Sequence, residues 1–168
     1  MKMHSRKKAE TAKATLGRLK AIQNAPSLNH CFGCGPGNRF GLHLRFQQIP
    51  DGESVECHFR VPRRFEGPPE HVHGGVIATI LDEAMGKVNK QKQVVALTRQ
   101  ISIEYLRPVP LATPLYAVGW AIGEHGRKHH RVAEIRTLTG EVLARSEGLF
   151  IAVDPVAMFA KHIRKNTP

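Results

Sequence analysis

Between Gly74 and Val88 the chain carries apolar side chains at Val76, Ile77, Ile80, Leu81, Ala84, Met85 and Val88, and every other segment must be arranged around that stripe. Spacings of three and four residues put these side chains on one broad face, so the segment reads as a helix with a face to bury. Strand-like segments flank it on both sides. Leu42, Leu44 and Phe46 alternate with polar residues, as do Val55, Cys57, Phe59 and Val61, and Pro50-Asp51-Gly52 supplies the turn of a hairpin between them. Four more strands are predicted at about residues 94–107, 115–123, 129–138 and 142–153, with turn signals at 108–114, His125-Gly126 and Thr139-Gly140. A hairpin, one long apolar helix and then a strand meander predict an α+β domain whose antiparallel sheet wraps the helix.

A chain of 168 residues is long enough for one domain with a real core and too short for two of ordinary size. Residues 1–26 read as a basic extension, helical over about 6–24; residues 27–154 form the main domain; residues 155–168 form a short helix and a basic tail. No apolar run approaches the roughly 18–20 residues of a membrane span, and no signal-like stretch opens the chain. The expected location is therefore cytoplasmic, with the three cysteines reduced. A net charge of +11 favours an anionic partner, either as a working surface or simply as a solvated basic face. Nucleic acid is the weaker choice, because the chain has neither an aromatic-rich RNA-binding signature nor an evident helix-turn-helix.

His73-Gly74-Gly75 stands where the long helix begins, and the first turn of a helix presents backbone N–H groups with no intrahelical partner. Glycines leave that turn open to a polarised carbonyl, so Gly74 and Gly75 are candidate oxyanion donors, or else serve only a tight turn into the helix. Gly75, Ala78, Thr79, Asp82 and Gly86 share the helix face opposite the apolar stripe, and all but Asp82 are small. Such a strip suits the close approach of a second copy of the same helix. Eight residues at 1.5 Å rise place Asp82 roughly 12 Å from Gly74 along the axis, so Asp82 would serve the helix N-terminus of a partner rather than its own. Glu83, about a hundred degrees around the helix, is the neighbouring carboxylate and suits a structural ion pair.

Four groups of residues then resemble the PaaI-like, hotdog-fold acyl-CoA thioesterases. They are Cys31-Phe32-Gly33-Cys34-Gly35 with Asn38, Gly41, Leu42 and Leu44; His71-Val72-His73-Gly74-Gly75; Ile80-Leu81-Asp82-Glu83-Ala84-Met85-Gly86; and Tyr105-Leu106-Arg107-Pro108-Val109-Pro110. The resemblance covers about residues 30–153 and implies a curved antiparallel sheet around one long central helix, to which this chain adds an N-terminal helix. It implies a thioester hydrolase whose active site forms between protomers of a homodimer or dimer of dimers. Asp82 would be general base or nucleophile, Gly74 and Gly75 would meet the thioester carbonyl, His73 would hold the loop, and Thr98 would orient water. His71, Glu83 and Arg107 would lie along the substrate, which brings coenzyme A as part of itself; no separate cofactor or metal is implied. One departure is Gly86, where some relatives carry a hydroxyl. Thr98 must then supply it, yet strict alternation puts Thr98 on the strand face opposite Leu97, Ile101, Ile103 and Tyr105 unless a bulge intervenes.

Cys31 and Cys34, with His30 and His43 nearby, form half of a zinc pattern whose other half is missing, so a structural loop is the expected reading. Arg127, Lys128 and Arg131, with His125, His129 and His130, mark a predicted hairpin tip that suits solvent or a phosphate. The reading from another class is a non-catalytic acyl-CoA sensor or a nucleic-acid-associated module of the same fold. Retention of Asp82 argues against it, and the spacing from His73-Gly74 to Asp82 argues against a dehydratase.

Overall fold

The computed structural model describes residue 17, residues 29–50 and residues 53–158. The proposed N-terminal helix, apart from Gly17, lies outside the described residues, as do the turn residues Asp51 and Gly52 and most of the C-terminal tail. In chain order the elements are β1 (Gln47–Gln48), β2 (Ser54–Phe59), a 3-10 turn (Arg63–Phe65), α1 (Gly74–Gln91), β3 (Ala96–Tyr105), β4 (Leu115–His125), β5 (Lys128–Thr137) and β6 (Val142–Ala152). One turn of helix follows at 155–158, capped by the Asp154 carboxylate, which accepts from Val156 N–H at 2.8 Å.

The six strands form one antiparallel sheet in the order β1-β2-β4-β5-β6-β3, with α1 packed on one face. This is the hotdog arrangement. The sheet order follows from the sequence order: short turns join β4, β5 and β6 as a meander, while α1 separates the first hairpin from β3 and sends that strand to the far edge. The buried helix residues Ile80, Leu81, Ala84 and Met85 meet Leu115, Ala117, Ile135, Ala144 and Phe150 of the sheet. Each such aliphatic side chain contributes about 1.5–3 kcal/mol through burial, which is why the apolar stripe dominates the fold. Gly119 on β4 and Gly148 on β6 let the helix come close. A Cβ at Gly119 would stand 2.9 Å from the Ala84 carbonyl oxygen, and one at Gly148 would stand 2.9 Å from Met85 Sδ.

Two local expectations are corrected. The Leu42–Phe46 segment alternates and packs on the core, but its ladder with β2 is confined to Gln47 and Gln48. Its backbone pairs instead with the preceding loop, Leu42 N–H donating to Phe32 C=O at 2.8 Å and Leu44 N–H to Gly33 C=O at 2.9 Å. The second correction concerns Leu97, which was expected on the face of Ile101, Ile103 and Tyr105. Pairing with β6 shifts between Thr98 and Gln100, so Arg99 is an extra residue and the strand changes face there. Leu97 is 41% exposed on the outer side, whereas Ile101 and Ile103 pack against the core.

Candidate functional site

The same bulge turns Thr98 toward the helix. Its hydroxyl donates to Asp82 Oδ1 at 2.7 Å, joining β3 to the middle of α1. Asp82 is half-buried, and burial pushes its carboxyl above the ordinary carboxylate range. The Thr98 hydrogen bond opposes that rise and the nearby Glu83 charge adds to it. A carboxylate raised in this way, yet still fed by a hydroxyl donor, is suited to take a proton from water.

At the start of α1, His73 is the N-cap and its Nδ1 accepts from Gly75 N–H at 3.0 Å. Val76 and Ile77 N–H both reach the His73 carbonyl. Gly75 N–H is therefore already committed, while Gly74 N–H meets no acceptor among the described residues. Gly74 C=O accepts from the Tyr105 hydroxyl at 3.2 Å, which ties the helix start to the end of β3. Of the two candidate oxyanion donors, Gly74 is the one left free to act.

The strip on α1 that carries Asp82 remains open among the described residues: a Cβ at Gly86 would meet nothing within 4 Å. Thr79 Oγ1 donates back to the Gly75 carbonyl at 3.0 Å, so its hydroxyl is taken up inside the helix. Glu83 points elsewhere. It pairs with Lys87 at 2.7 Å, one turn on, and faces the Cys31–Gly35 loop. Burial would raise Glu83, but hydrogen bonds from Cys34, Lys87 and Cys31 and the Lys87 charge hold it below its usual range. Burial and the Glu83 neighbour push the Cys34 thiol up to about 12.

The other residues proposed for substrate contact are scattered. His71 sits in the loop before α1, its Nδ1–H donating to Pro69 C=O at 2.8 Å. Arg107 is exposed and pairs with Glu141 at 2.6 Å. Arg127 donates to Ala152 C=O at 3.0 Å, beside the exposed Lys128 at the β4–β5 turn. Arg131 is a correction, because it lies on the inner face of β5 with no exposed surface. Its guanidinium reaches Asn89 Oδ1 at 2.9 Å, Glu124 Oε1 at 2.8 Å, His129 Nδ1 at 3.0 Å and the carbonyls of Gly123 and His130. Alternation from the exposed Lys128 puts His129 and Arg131 inside, so neither belongs to a solvated tip. The signal that finds this network was available as the register of β5 against the turn at Gly126, and it was outweighed by the local density of charge.

The described residues thus define a hotdog domain with a hydroxyl-linked carboxylate at mid-helix and a free backbone donor at the helix start. The pattern of the thioesterase superfamily matches residues 70–144, which run from the loop before α1 to the start of β6. A crystal structure of a thioesterase superfamily protein is similar with a TM-score of 0.69 and 32% identity, over 85% of this chain and 80% of that one. The chain belongs to the thioesterase superfamily. The acyl-coenzyme A thioesterase THEM4 of Rattus norvegicus is 30% identical over 102 residues, which is 60% of this chain and 44% of that protein. The chain thus matches less than half the length of that relative. A hypothetical thioesterase protein of Streptococcus pneumoniae TIGR4, solved with coenzyme A, shares the fold at a TM-score of 0.61 and 19% identity, over 66% of this chain and 85% of that one. That streptococcal protein has also been solved with alanine in place of an aspartate and, separately, of a threonine 16 positions later.

Proposed function

We propose that this protein hydrolyses acyl-CoA thioesters to a free acid and coenzyme A, with Asp82 as the carboxylate that activates water or attacks directly. The observation that carries the reading is the Thr98–Asp82 hydrogen bond, which requires a bulge in an otherwise regular edge strand. Family membership, the THEM4 relative and the coenzyme A held by a fold neighbour all favour a CoA thioester over other esters.

In the general-base form, Asp82 takes a proton from water as the oxygen attacks the thioester carbon. The carbonyl oxygen gains charge against the Gly74 N–H, the carbon–sulfur bond breaks, and the thiolate of coenzyme A departs and is protonated. In the nucleophilic form Asp82 adds to the same carbon and displaces the coenzyme A thiolate, which is protonated as it leaves, and water then cleaves the mixed anhydride to the free acid and the Asp82 carboxylate. Thr98 holds the carboxylate, and His73 holds the turn that presents Gly74.

Asp82 and Gly74 of one chain stand about 12 Å apart along α1, too far for one thioester carbonyl. The reading therefore includes a homodimer in which Asp82 works with the Gly74 of the partner. Two features support it. The strip around Asp82 is lined by small residues, and β3 is a ten-residue edge strand with Leu97 and Tyr105 exposed on it. A long edge strand with apolar side chains is a liability unless another chain covers it.

The experiment is thiol release from short, medium, long and aryl acyl-CoAs, with wild type beside Asp82→Asn. Turnover that collapses in Asp82→Asn while the oligomer persists supports the reading. Coenzyme A ester binding without turnover by wild type would instead make the protein a sensor.

A further inference from the structure

The loop from Cys31 to Gly35 is pressed against a face of α1 that the proposed hydrolysis does not use. Within it Gly35 N–H donates to Cys31 C=O at 2.9 Å, and the Asn29 side chain accepts from Cys31 N–H at 3.1 Å. The glycines are there for space. A Cβ at Gly35 would fall 2.4 Å from Cys31 N, and one at Gly33 would fall 2.5 Å from Glu83 Oε2. This packing turns both thiols toward Glu83. One ligand atom each from Cys31, Cys34 and Glu83 lies within 4.8 Å of the other two. Lys87 closes the group, its Nζ standing 2.8 Å from Cys34 Sγ and 2.7 Å from Glu83 Oε1.

We propose that Cys31, Cys34 and Glu83 form a zinc site, with a water molecule as fourth ligand and the Lys87 ammonium beside it, distinct from the Asp82 site. The spacing suits the ion. Two sulfurs at about 2.3 Å from a tetrahedral zinc stand about 3.8 Å apart, so the three ligand atoms need to close by about 1 Å at most. Two thiolates favour zinc over magnesium or calcium, which prefer oxygen ligands alone.

Charge also fits. Without the ion the group holds two neutral thiols, one carboxylate and one ammonium, a formal sum of zero. On binding, both thiol protons leave to solvent and one divalent ion enters, so two thiolates, the carboxylate, the ion and the ammonium again sum to zero. The exchange involves no electron transfer. Lys87 is what keeps the occupied, half-buried site neutral, and burying an uncompensated charge there would be costly. The sequence alone lacked the second half of the zinc pattern, because Glu83 comes from α1, 52 positions after Cys31. The bound ion would fasten the 29–48 segment to the helix that carries Asp82.

The test is metal content of the untagged full chain, purified without chelator and then incubated with equimolar zinc and desalted, measured by inductively coupled plasma mass spectrometry. Wild type should hold about one zinc per chain, and Cys31→Ser and Cys34→Ser should each hold less than a tenth of that. Glu83→Gln should weaken zinc at least about ten-fold in competition with a chromophoric chelator. Cobalt(II) in place of zinc should give a thiolate charge-transfer band that is absent in both serine variants. Cys31 is exposed, so Cys31→Ser keeps the test valid if Cys34→Ser does not fold, as checked by circular dichroism. Less than a tenth of an equivalent in wild type, equal zinc in wild type and Cys31→Ser, or a Cys31–Cys34 disulfide in the purified protein would each overturn the proposal. None of these readouts uses thioester turnover, so the zinc site stands or falls separately from the hydrolysis.

Discussion

Thr98 on the edge strand β3 and Asp82 in the middle of α1 are joined by a 2.7 Å hydrogen bond, and the single extra residue Arg99 is what brings them together. Removing the donor should therefore act on the carboxylate directly. Burial raises the Asp82 carboxyl and the Thr98 hydroxyl partly lowers it. Thr98→Val keeps the shape and deletes that lowering, so the carboxyl should rise further. A base must be deprotonated to act, and the rate falls as pH drops through its pKa. The acid limb of the kcat/KM profile should move to higher pH in Thr98→Val, with a smaller loss at high pH than at neutral pH. An unshifted acid limb would separate Thr98 from the titration of Asp82.

Gly74 is the first residue of α1, a position where proline is well tolerated because its N–H has no helical partner. His73, with φ −58° and ψ 136°, already has the backbone that a following proline requires. A Cβ at Gly74 would meet the Tyr105 ring at an ordinary 3.8 Å. Gly74→Pro should thus keep the helix while deleting the free N–H of that residue, lowering kcat about 100-fold or more. Mixing refolded Gly74→Pro with Asp82→Asn should then restore about a quarter of wild-type activity, since half of the dimers are mixed and each has one intact site. Activity that stays at the level of the separate variants would place both groups of a working site in one chain.

The broad fold was legible because it rests on periodicity. The apolar stripe of Val76 to Val88 and the alternation in β2 to β6 define one helix and a sheet, and the observed elements differ from the expected limits by only a few residues. Asp82 was legible for a different reason, as the one charged side chain on a face of small residues. What the sequence hid was register. Thr98 needed the Arg99 bulge, which no local pattern announces, and Leu97 moved to the outer face with it. Arg131 was misplaced because a cluster of cations reads as surface, while the alternation that opens β5, exposed at Lys128 and His130, puts His129 and Arg131 inside whatever their charge. The Leu42–Phe46 segment alternates like a strand because it packs on the core, yet its hydrogen bonds go to the loop before it.

Close approach of α1 to the sheet depends unequally on two glycines. At Gly119 an added Cβ would strike the Ala84 backbone, at 2.9 Å from its oxygen and 3.0 Å from its carbon, and a helix backbone cannot yield locally. At Gly148 the nearest atoms are Met85 Sδ, near the end of a flexible side chain, and Phe150 Cε2, both at 2.9 Å, and neither is backbone. Gly119→Ala should cost about 1–3 kcal/mol, and Gly148→Ala distinctly less. Thermal unfolding of the two variants should show the larger fall in Tm for Gly119→Ala; the reverse order would mean that Met85 is the more constrained neighbour.

Arg131 ties the end of α1 to the far end of the sheet. Its fully buried guanidinium serves Asn89 on the helix, the Gly123 carbonyl beside the β4 irregularity, Glu124 on the neighbouring β4 and His129 on its own strand. Arg131→Met replaces the guanidinium by an apolar chain of similar length and leaves Asn89 Oδ1 and two carbonyls without their donor. Asn89 is the buried one of these acceptors, and stranding it costs about 1–3 kcal/mol, offset in part because the buried cation itself is gone. A net loss of about 1–2 kcal/mol in urea unfolding is expected, with thioester hydrolysis at low temperature little changed because the network stands apart from Asp82 and Gly74. If Arg131→Met instead leaves stability intact but raises KM for acyl-CoA, the guanidinium reaches the substrate after all, and the inward register of β5 is not what decides its role.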